Sequence, residues 1–330
     1  MISLHVQAEQ WPIDGEFTIS RGSKTTADIV VCAISAELNG RTVRGRGECV
    51  PYARYGETID SVIEEINSVA IDIKSGLDRQ GLLANLPAGA ARNAVDCALW
   101  DFDAKRDSTS VAAQLIIPSP NPLLTAYTLS LDTPQTMGRL AAANAERRLL
   151  KIKVGRDDDL ACIEAVATGA PNSRIIVDAN EAWSPDDLPE MLAACAELNV
   201  ALVEQPLPAE DDAVLAEIAH PVPICADESM HAASDVPALA ALYDMVNIKL
   251  DKTGGLTEAL NAKQMAMEHG LGVMIGCMVG TSLAMAPAVL LAQDADFIDL
   301  DGPLLLAKDR DDGLHYFDDL VSPPTPALWG

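Results

Sequence analysis

Short apolar runs recur from residue 124 onward at a nearly constant interval, and that interval restricts the fold more than any other feature of the chain. Several runs end on a charged or polar residue, in the series Lys153, Asp178, Glu204, Asp227, Lys249, Cys277 and Asp301, whose members lie 25, 26, 23, 22, 28 and 24 residues apart. A parallel strand, its loop and the helix that returns the chain to the sheet consume such a length. Eight runs fit the pattern: 124–131, 149–154, 174–178, 200–204, 223–227, 245–249, 273–277 and 297–301. They are rich in Val, Ile and Leu, as strands buried on both faces are. Between them, 161–168, 187–197, 213–219, 234–242 and 257–268 are rich in Ala and Leu at helical spacing, and several open with Ser, Thr or Asp in a capping position. Eight such units in series close into a barrel. After the eighth run the chain offers no amphipathic helix and ends near Pro323, Pro324 and Pro326. The expected α/β fold is a (β/α)7β TIM-like barrel over 121–305, with a tail, 306–330, packing on the domain that precedes the barrel.

That preceding domain, 1–120, follows other rules. Residues 2–7, 27–38 and 42–49 read as antiparallel strands, with Asn39-Gly40 as a hairpin turn. Helical patterns follow at 58–75 and 88–105, the second with an apolar stripe of Ala91, Ala94, Val95, Leu99 and Trp100. The result is an α+β capping domain joined to the barrel without a low-complexity linker, hence packed tightly on it. Composition narrows the partners. Asp and Glu number 49 against 23 Lys and Arg, and a net charge of −26 repels phosphate backbones and anionic lipids, so neither nucleic acid nor a membrane surface is expected. The uncharged stretch 271–293 is long enough to span a bilayer, but Gly272, Gly276, Gly280 and Pro287 divide it into a strand and a helix. Glu9, Asp14 and Glu16 interrupt any export signal. The seven scattered cysteines form no C-x-x-C pair and no disulfide framework, which points to a reducing, cytoplasmic setting. The oligomeric state stays open, a homo-oligomer included.

In such a barrel the C-terminal strand ends converge on one mouth. Asp178, Glu204 and Asp227 arrive there from three successive strands. Each alone would serve as a helix cap. Together they repel one another unless a cation sits among them, and all-oxygen ligation selects a hard ion, one Mg²⁺ per chain. No histidine ends a strand, which argues against zinc. Asn180 and Glu228 are the expected hydrogen-bonding partners behind the ligands. Lys151 and Lys153, two apart on one strand, both point inward, and their mutual repulsion and the metal are expected to lower one of them toward a usable base. Lys249 ends the sixth strand, across the barrel. A lysine on each side of a Mg²⁺ site can remove a proton from a carbon beside a carboxylate and return one to the opposite face, with the metal stabilising the enediolate between. The chain has no P-loop, G-x-G-x-x-G, G-x-S-x-G or H-E-x-x-H motif.

Over nearly its whole length the sequence resembles the enolase superfamily, in the muconate-lactonising subgroup, and within that the dipeptide epimerases. The resemblance lies in Lys151-Ile152-Lys153, Asp178-Ala179-Asn180, Glu204-Gln205-Pro206, Asp227-Glu228-Ser229, Asn247-Ile248-Lys249 with Lys252-Thr253-Gly254-Gly255, and Asp299-Leu300-Asp301-Gly302. It implies that Asp299 and Asp301 hold the α-ammonium group of a dipeptide. The stretches 20–24 and 47–57 resemble the capping loops of the group acting on L-Ala-D/L-Glu, in which a basic residue of the first loop meets the glutamate side chain. Arg21 and Lys24 are the residues in question here, and Lys24 offers a point charge where an arginine would offer a fork. Arg21 also reads as a structural residue, an ion-pair partner within the loop. The implied activity is epimerisation of a dipeptide's C-terminal residue, as in murein-peptide recycling. Two other readings stay open: a cycloisomerase or an o-succinylbenzoate synthase-like dehydration, and a Mg²⁺-dependent peptide-binding protein without turnover. Asp299 and Asp301 speak against the first, and Lys153 and Lys249 against the second.

Overall fold

The computed structural model describes residues 2–330. Its N-terminal sheet has the order β1 (Ile2–Ile19), β2 (Gly22–Leu38), β3 (Arg41–Cys49), antiparallel throughout. Helices α1 (Ile59–Ser68), α2 (Ala70–Lys74), α3 (Arg79–Asn85) and α4 (Ala90–Arg106) cover one face of it. Gly45 and Gly47 bring β3 into backbone contact with α4: a Cβ on Gly47 would lie 2.1 Å from the Ala94 carbonyl oxygen, and one on Gly45 2.2 Å from the Phe102 nitrogen. No side chain fits there.

Two expectations for this domain need correction. The expected helix 58–75 is broken at Val69 into α1 and α2. Strands β1 and β2 run far beyond residues 7 and 27, meeting at a turn on Ser20 and Arg21, with a register shift between Pro12 and Phe17. Pro12 and Gly15 disguise this arm as a loop, and a two-stranded ribbon buries too little for clean alternation. It is pinned from outside instead, where Ala307 donates its N–H to the Pro12 carbonyl at 2.9 Å.

After α5 (Val111–Gln114) and the two-residue β4 (Leu123–Leu124), the barrel strands are β5 (Tyr127–Leu129), β6 (Leu149–Lys153), β7 (Arg174–Asp178), β8 (Leu202–Glu204), β9 (Ile224–Ala226), β10 (Met245–Lys249), β11 (Gly272–Gly276) and β12 (Phe297–Asp299). They lie parallel in sequential order. The Ala126 N–H donates to the Ile298 carbonyl at 2.8 Å and joins the first strand to the last. Between them run α6 (Pro134–Ala143), α7 (Asp159–Gly169), α8 (Leu188–Glu197), α9 (Val236–Leu239), α10 (Leu250–Thr253), α11 (Leu256–Glu268) and α12 (Ser282–Leu291). The expected helix at 213–219 is a 3₁₀ run, Ala209–Glu217, and 234–242 holds only a turn followed by α9. The uncharged 271–293 segment resolves into β11 and α12, capped by the Thr281 hydroxyl. Among the described residues no helix is long and apolar enough to cross a membrane.

The tail first forms a hairpin of β13 (Tyr316–Phe317) and β14 (Leu320–Val321), of which β14 pairs with β4 at the N-terminal end of the barrel. It then reaches the capping domain, where the buried Trp329 donates to the Cys97 carbonyl of α4 at 3.0 Å.

Candidate active site

Strand register puts the chemistry on one level. Lys153 pairs with Asp178 and Asp178 with Glu204, while Lys249 pairs with Gly276 and Gly276 with Asp299. Asp178, Glu204 and Asp227 are fully buried, and each offers a carboxylate oxygen within 4.8 Å of the others. Lysines answer them. Lys153 donates to Asp178 Oδ2 at 2.5 Å, Lys249 to Asp227 Oδ2 at 2.7 Å, and Lys252 to Asp227 Oδ1 at 2.5 Å. Burial alone would raise the Asp178 carboxyl, but Lys153 and Lys151 overcome it and hold the group at about 2. Asp227 is likewise driven well down against burial by Lys249 and Lys252. For Glu204, burial and repulsion from Asp178 win, lifting it to about 7.

Lys151 corrects an expectation. Its ammonium lies 2.7 Å from Glu204 Oε2, 2.7 Å from Asp299 Oδ2 and 3.1 Å from Asp178 Oδ2. Burial favours the neutral amine, but three carboxylates outweigh both that and any lysine–lysine repulsion, so Lys151 is held well above its ordinary value.

The mouth opens into a cavity of about 650 Å³ between the barrel and the β1–β2 arm. Lys153, Lys249, Asp227, Asn180 and Glu228 line it from the barrel, and Tyr52, Tyr55, Arg21 and Lys24 from the capping domain. Asn180 and Glu228 meet as expected, with Asn180 Nδ2 donating to Glu228 Oε1 at 3.3 Å. Arg21 does form ion pairs, but with the barrel loops and not within its own loop: it donates to Glu228 Oε1 at 2.7 Å, to the Asn180 carbonyl at 2.8 Å and to Glu181 Oε2 at 3.2 Å. Lys24 lies 5.4 Å from the Tyr52 ring and, among the described residues, forms no ion pair. Asp299 and Asp301 are buried and are not among the residues that line the cavity. Asp299 is paired with Lys151, and Asp301 accepts the Thr128 N–H at 2.6 Å while burial and Asp299 push it to about 7.

The carboxylate set suits a hard divalent cation. All its donors are oxygens, and Glu204 Oε2, though close to Lys151, has no hydrogen-bond partner. Three neighbours had no assigned role in the sequence. Asn247 donates to Glu204 Oε1 at 2.8 Å, a contact foreshadowed by its place two residues before Lys249 on the same strand face. Lys252 lies three residues beyond Lys249, on the first turn of α10. Gln205 carried no signal beyond its neighbour Glu204.

Residues 1–116 match the family model for the Mandelate racemase / muconate lactonizing enzyme, N-terminal domain, and residues 136–316 the model described as Enolase C-terminal domain-like. The L-Ala-D/L-Glu epimerase of Escherichia coli K12 is 45% identical over 318 residues, covering 96% of this chain and 98% of that protein. An N-acetyl-D-glutamate racemase from a Pseudoalteromonas species is 47% identical over 288 residues, 87% of this chain and 91% of the relative. Among solved structures, an enolase family member from Agrobacterium tumefaciens with homology to dipeptide epimerases, bound to sodium and L-Ala-L-Glu, superposes with a TM-score of 0.97 at 53% identity over 100% of both chains. The dipeptide epimerase of Enterococcus faecalis V583, complexed with Mg and L-Leu-L-Tyr, gives 0.88 at 29% identity, over 97% of this chain and 96% of that one. With both domains matched and a barrel mouth of acids and lysines, the chain belongs to the enolase superfamily, in its mandelate racemase/muconate-lactonising branch, and is an isomerase of the epimerase kind.

Proposed function

We propose that the enzyme epimerises the C-terminal residue of a dipeptide, L-Ala-D/L-Glu foremost, by proton transfer between two lysines. The carrying observation is that Lys153 on β6 and Lys249 on β10, four strands apart in an eight-stranded barrel, both line the one cavity. One lysine, as the amine, takes the α-proton from one face. The other, as the ammonium, delivers a proton to the opposite face, and the two exchange roles for the reverse direction. One Mg²⁺, held by Asp178, Glu204 and Asp227, would supply positive charge to offset what develops on the substrate carboxylate as the proton leaves. Lys151 stays protonated and balances the buried carboxylates. Asp299, whose Oδ1 is buried without a partner, accepts from the dipeptide's α-ammonium together with Asp301. Since Arg21 is spent on Glu228 and Glu181, Lys24 meets the acidic side chain. On this reading the substrate is a murein-derived dipeptide met in the cytoplasm, where seven cysteines without a disulfide are at home.

A second reading, racemisation of N-acylated glutamate, is favoured by the state of the aspartate pair. Lys151 already neutralises Asp299, and Asp301 sits near 7, so the pair demands a cationic partner less than two free carboxylates would. The relative named N-acetyl-D-glutamate racemase supports it. Incubation of L-Ala-L-Glu and of N-acetyl-L-glutamate in deuterium oxide, followed by proton NMR and chiral analysis, separates the two. The dipeptide should exchange its C-terminal α-proton and yield the D-epimer with the higher kcat/KM. Preference for the acylated amino acid would transfer the assignment, and exchange in neither would remove both.

A further inference from the structure

Gln205 is fully buried and holds its backbone at a φ of +36°, in the left-handed region where a residue with a Cβ is strained. Such a conformation persists only when its surroundings over-determine it. Here they do so through every polar atom the residue has. The backbone N–H donates to the Cys225 carbonyl at 2.9 Å, and the backbone carbonyl accepts from Glu181 at 2.9 Å. Side-chain Oε1 accepts the N–H groups of Asp227 at 2.8 Å and Ser229 at 3.2 Å. Nε2 lies within donating distance of the Tyr243 hydroxyl at 2.9 Å, the Ser229 hydroxyl at 3.0 Å, the Leu207 carbonyl at 3.0 Å and, more distantly, Asp212 Oδ1 at 3.4 Å. Those two hydroxyls are fixed in turn by Asp212, which accepts from Tyr243 at 2.5 Å and from Ser229 at 2.6 Å.

The residue therefore ties the end of β8 to those of its neighbours, its backbone carbonyl holding the turn after β7 and its side chain the turn after β9; these strands deliver Asp178, Glu204 and Asp227. Its amide touches none of these three carboxylates and does not line the cavity. We propose that Gln205 is a positioning residue for the carboxylate cage, setting the separation of Glu204 and Asp227 through the Asp227 backbone and so the affinity for a divalent cation. The Asp212–Tyr243–Ser229 relay orients its amide. The proposal rests on the metal-centre reading above.

The test measures Mn²⁺ binding directly, by the electron paramagnetic resonance of the free ion, on the purified wild-type chain, Gln205→Met and Ser229→Ala, beside thermal unfolding without added metal. Methionine keeps the volume of Gln205 and removes its donor and acceptors. Losing a group that orients metal ligands weakens binding by about 10- to 100-fold, the rise in Kd expected for Gln205→Met. Ser229→Ala should weaken binding less, because Tyr243 still orients the amide. A purely structural role lowers the melting temperature of both variants and leaves Kd within about twofold of wild type, which would overturn the proposal. Should Gln205→Met not fold, an unchanged Kd in Ser229→Ala overturns it equally. If the wild-type chain itself binds no Mn²⁺, the metal centre fails before any variant is read.

Discussion

Arg21 and Lys24 are three residues apart at the tip of one hairpin, yet their surroundings assign them different work. Arg21 meets carboxylates 160 and 207 residues away in sequence, Glu181 and Glu228, and so fastens the arm to the barrel loops. Removing it as Arg21→Ala should therefore lower kcat/KM for every dipeptide alike. Lys24→Ala should instead shrink the preference for a C-terminal Glu over Gln, by a few-fold only, because an exposed ammonium contributes about 1 kcal/mol or less. A paired kinetic screen over Glu and Gln substrates distinguishes these outcomes, and an equal loss of selectivity in both variants would contradict the division. The two lysines at the mouth make a second prediction. Lys153→Met and Lys249→Met should each abolish epimerisation, while one enantiomer retains α-proton exchange with deuterium oxide through the surviving base. Epimerisation by either variant near the wild-type rate would rule out the two-base scheme. What a single residue shows in sequence is its chemistry, not its partner. Lys151 illustrates the difference: its strand face was legible, but the Asp299 that clamps it lies 148 residues away, and that contact decides whether the amine is a base.

At the scale of elements, legibility followed burial. The barrel strands are buried on both sides, so their apolar runs are dense, and the run 297–301 was readable from its residues and spacing although only Phe297–Asp299 of it pairs as a strand. The β1–β2 arm buries little, and its pattern was lost among Pro12, Asp14, Gly15 and Glu16. The run Ala209–Glu217 failed for another reason: Glu210, Asp211 and Asp212 crowd its first turn, and a tight 3₁₀ path frees Asp212 to turn inward to Tyr243 and Ser229. The tail shows how an element without regular structure can still matter. Its Trp329 is 1% exposed, and the neighbouring Leu328 carbonyl accepts from Arg46 of β3 at 2.7 Å. Trp329→Ala should destabilise the protein by about 3 to 5 kcal/mol, the usual loss for a buried aromatic. Urea unfolding gives the figure. Below the new transition kcat should be unchanged, since the tail meets α4 and β3 rather than the cavity, and a change of less than about 1 kcal/mol would mean the tail is not part of the cooperative unit.

For the whole molecule, the seam between the capping domain and the barrel is where pH should act. Acids are buried along it. Glu48 accepts from Thr281 and Arg310, Asp96 accepts the Thr257 N–H at 3.0 Å, and Asp251 accepts the Val50 N–H at 3.0 Å and Asn93 Nδ2 at 2.8 Å. Burial lifts Asp96 to about 6 and Asp251 to about 7, from an ordinary 3.8. Each raised acid makes the folded state bind more protons than the unfolded chain between those limits, so its contribution to stability falls as pH rises from about 4 to about 7 and stays lost above. Asp251 suits the test because, among the described residues, no lysine or arginine pairs with it; its carboxylate accepts only from Val50 and Asn93. Asp251→Asn keeps an oxygen to accept from Val50 and Asn93 and removes the titration. At pH 8 the variant should be more stable than wild type by a few kcal/mol, on the order of 1 to 4, with the two converging near pH 4. The comparison is made as a difference because a net charge of −26 gives every other carboxylate its own pH dependence, and that background cancels between two chains differing at one buried atom. Parallel stability curves from pH 4 to 8 would show that Asp251 titrates as it does in water, and that the seam tolerates its charge.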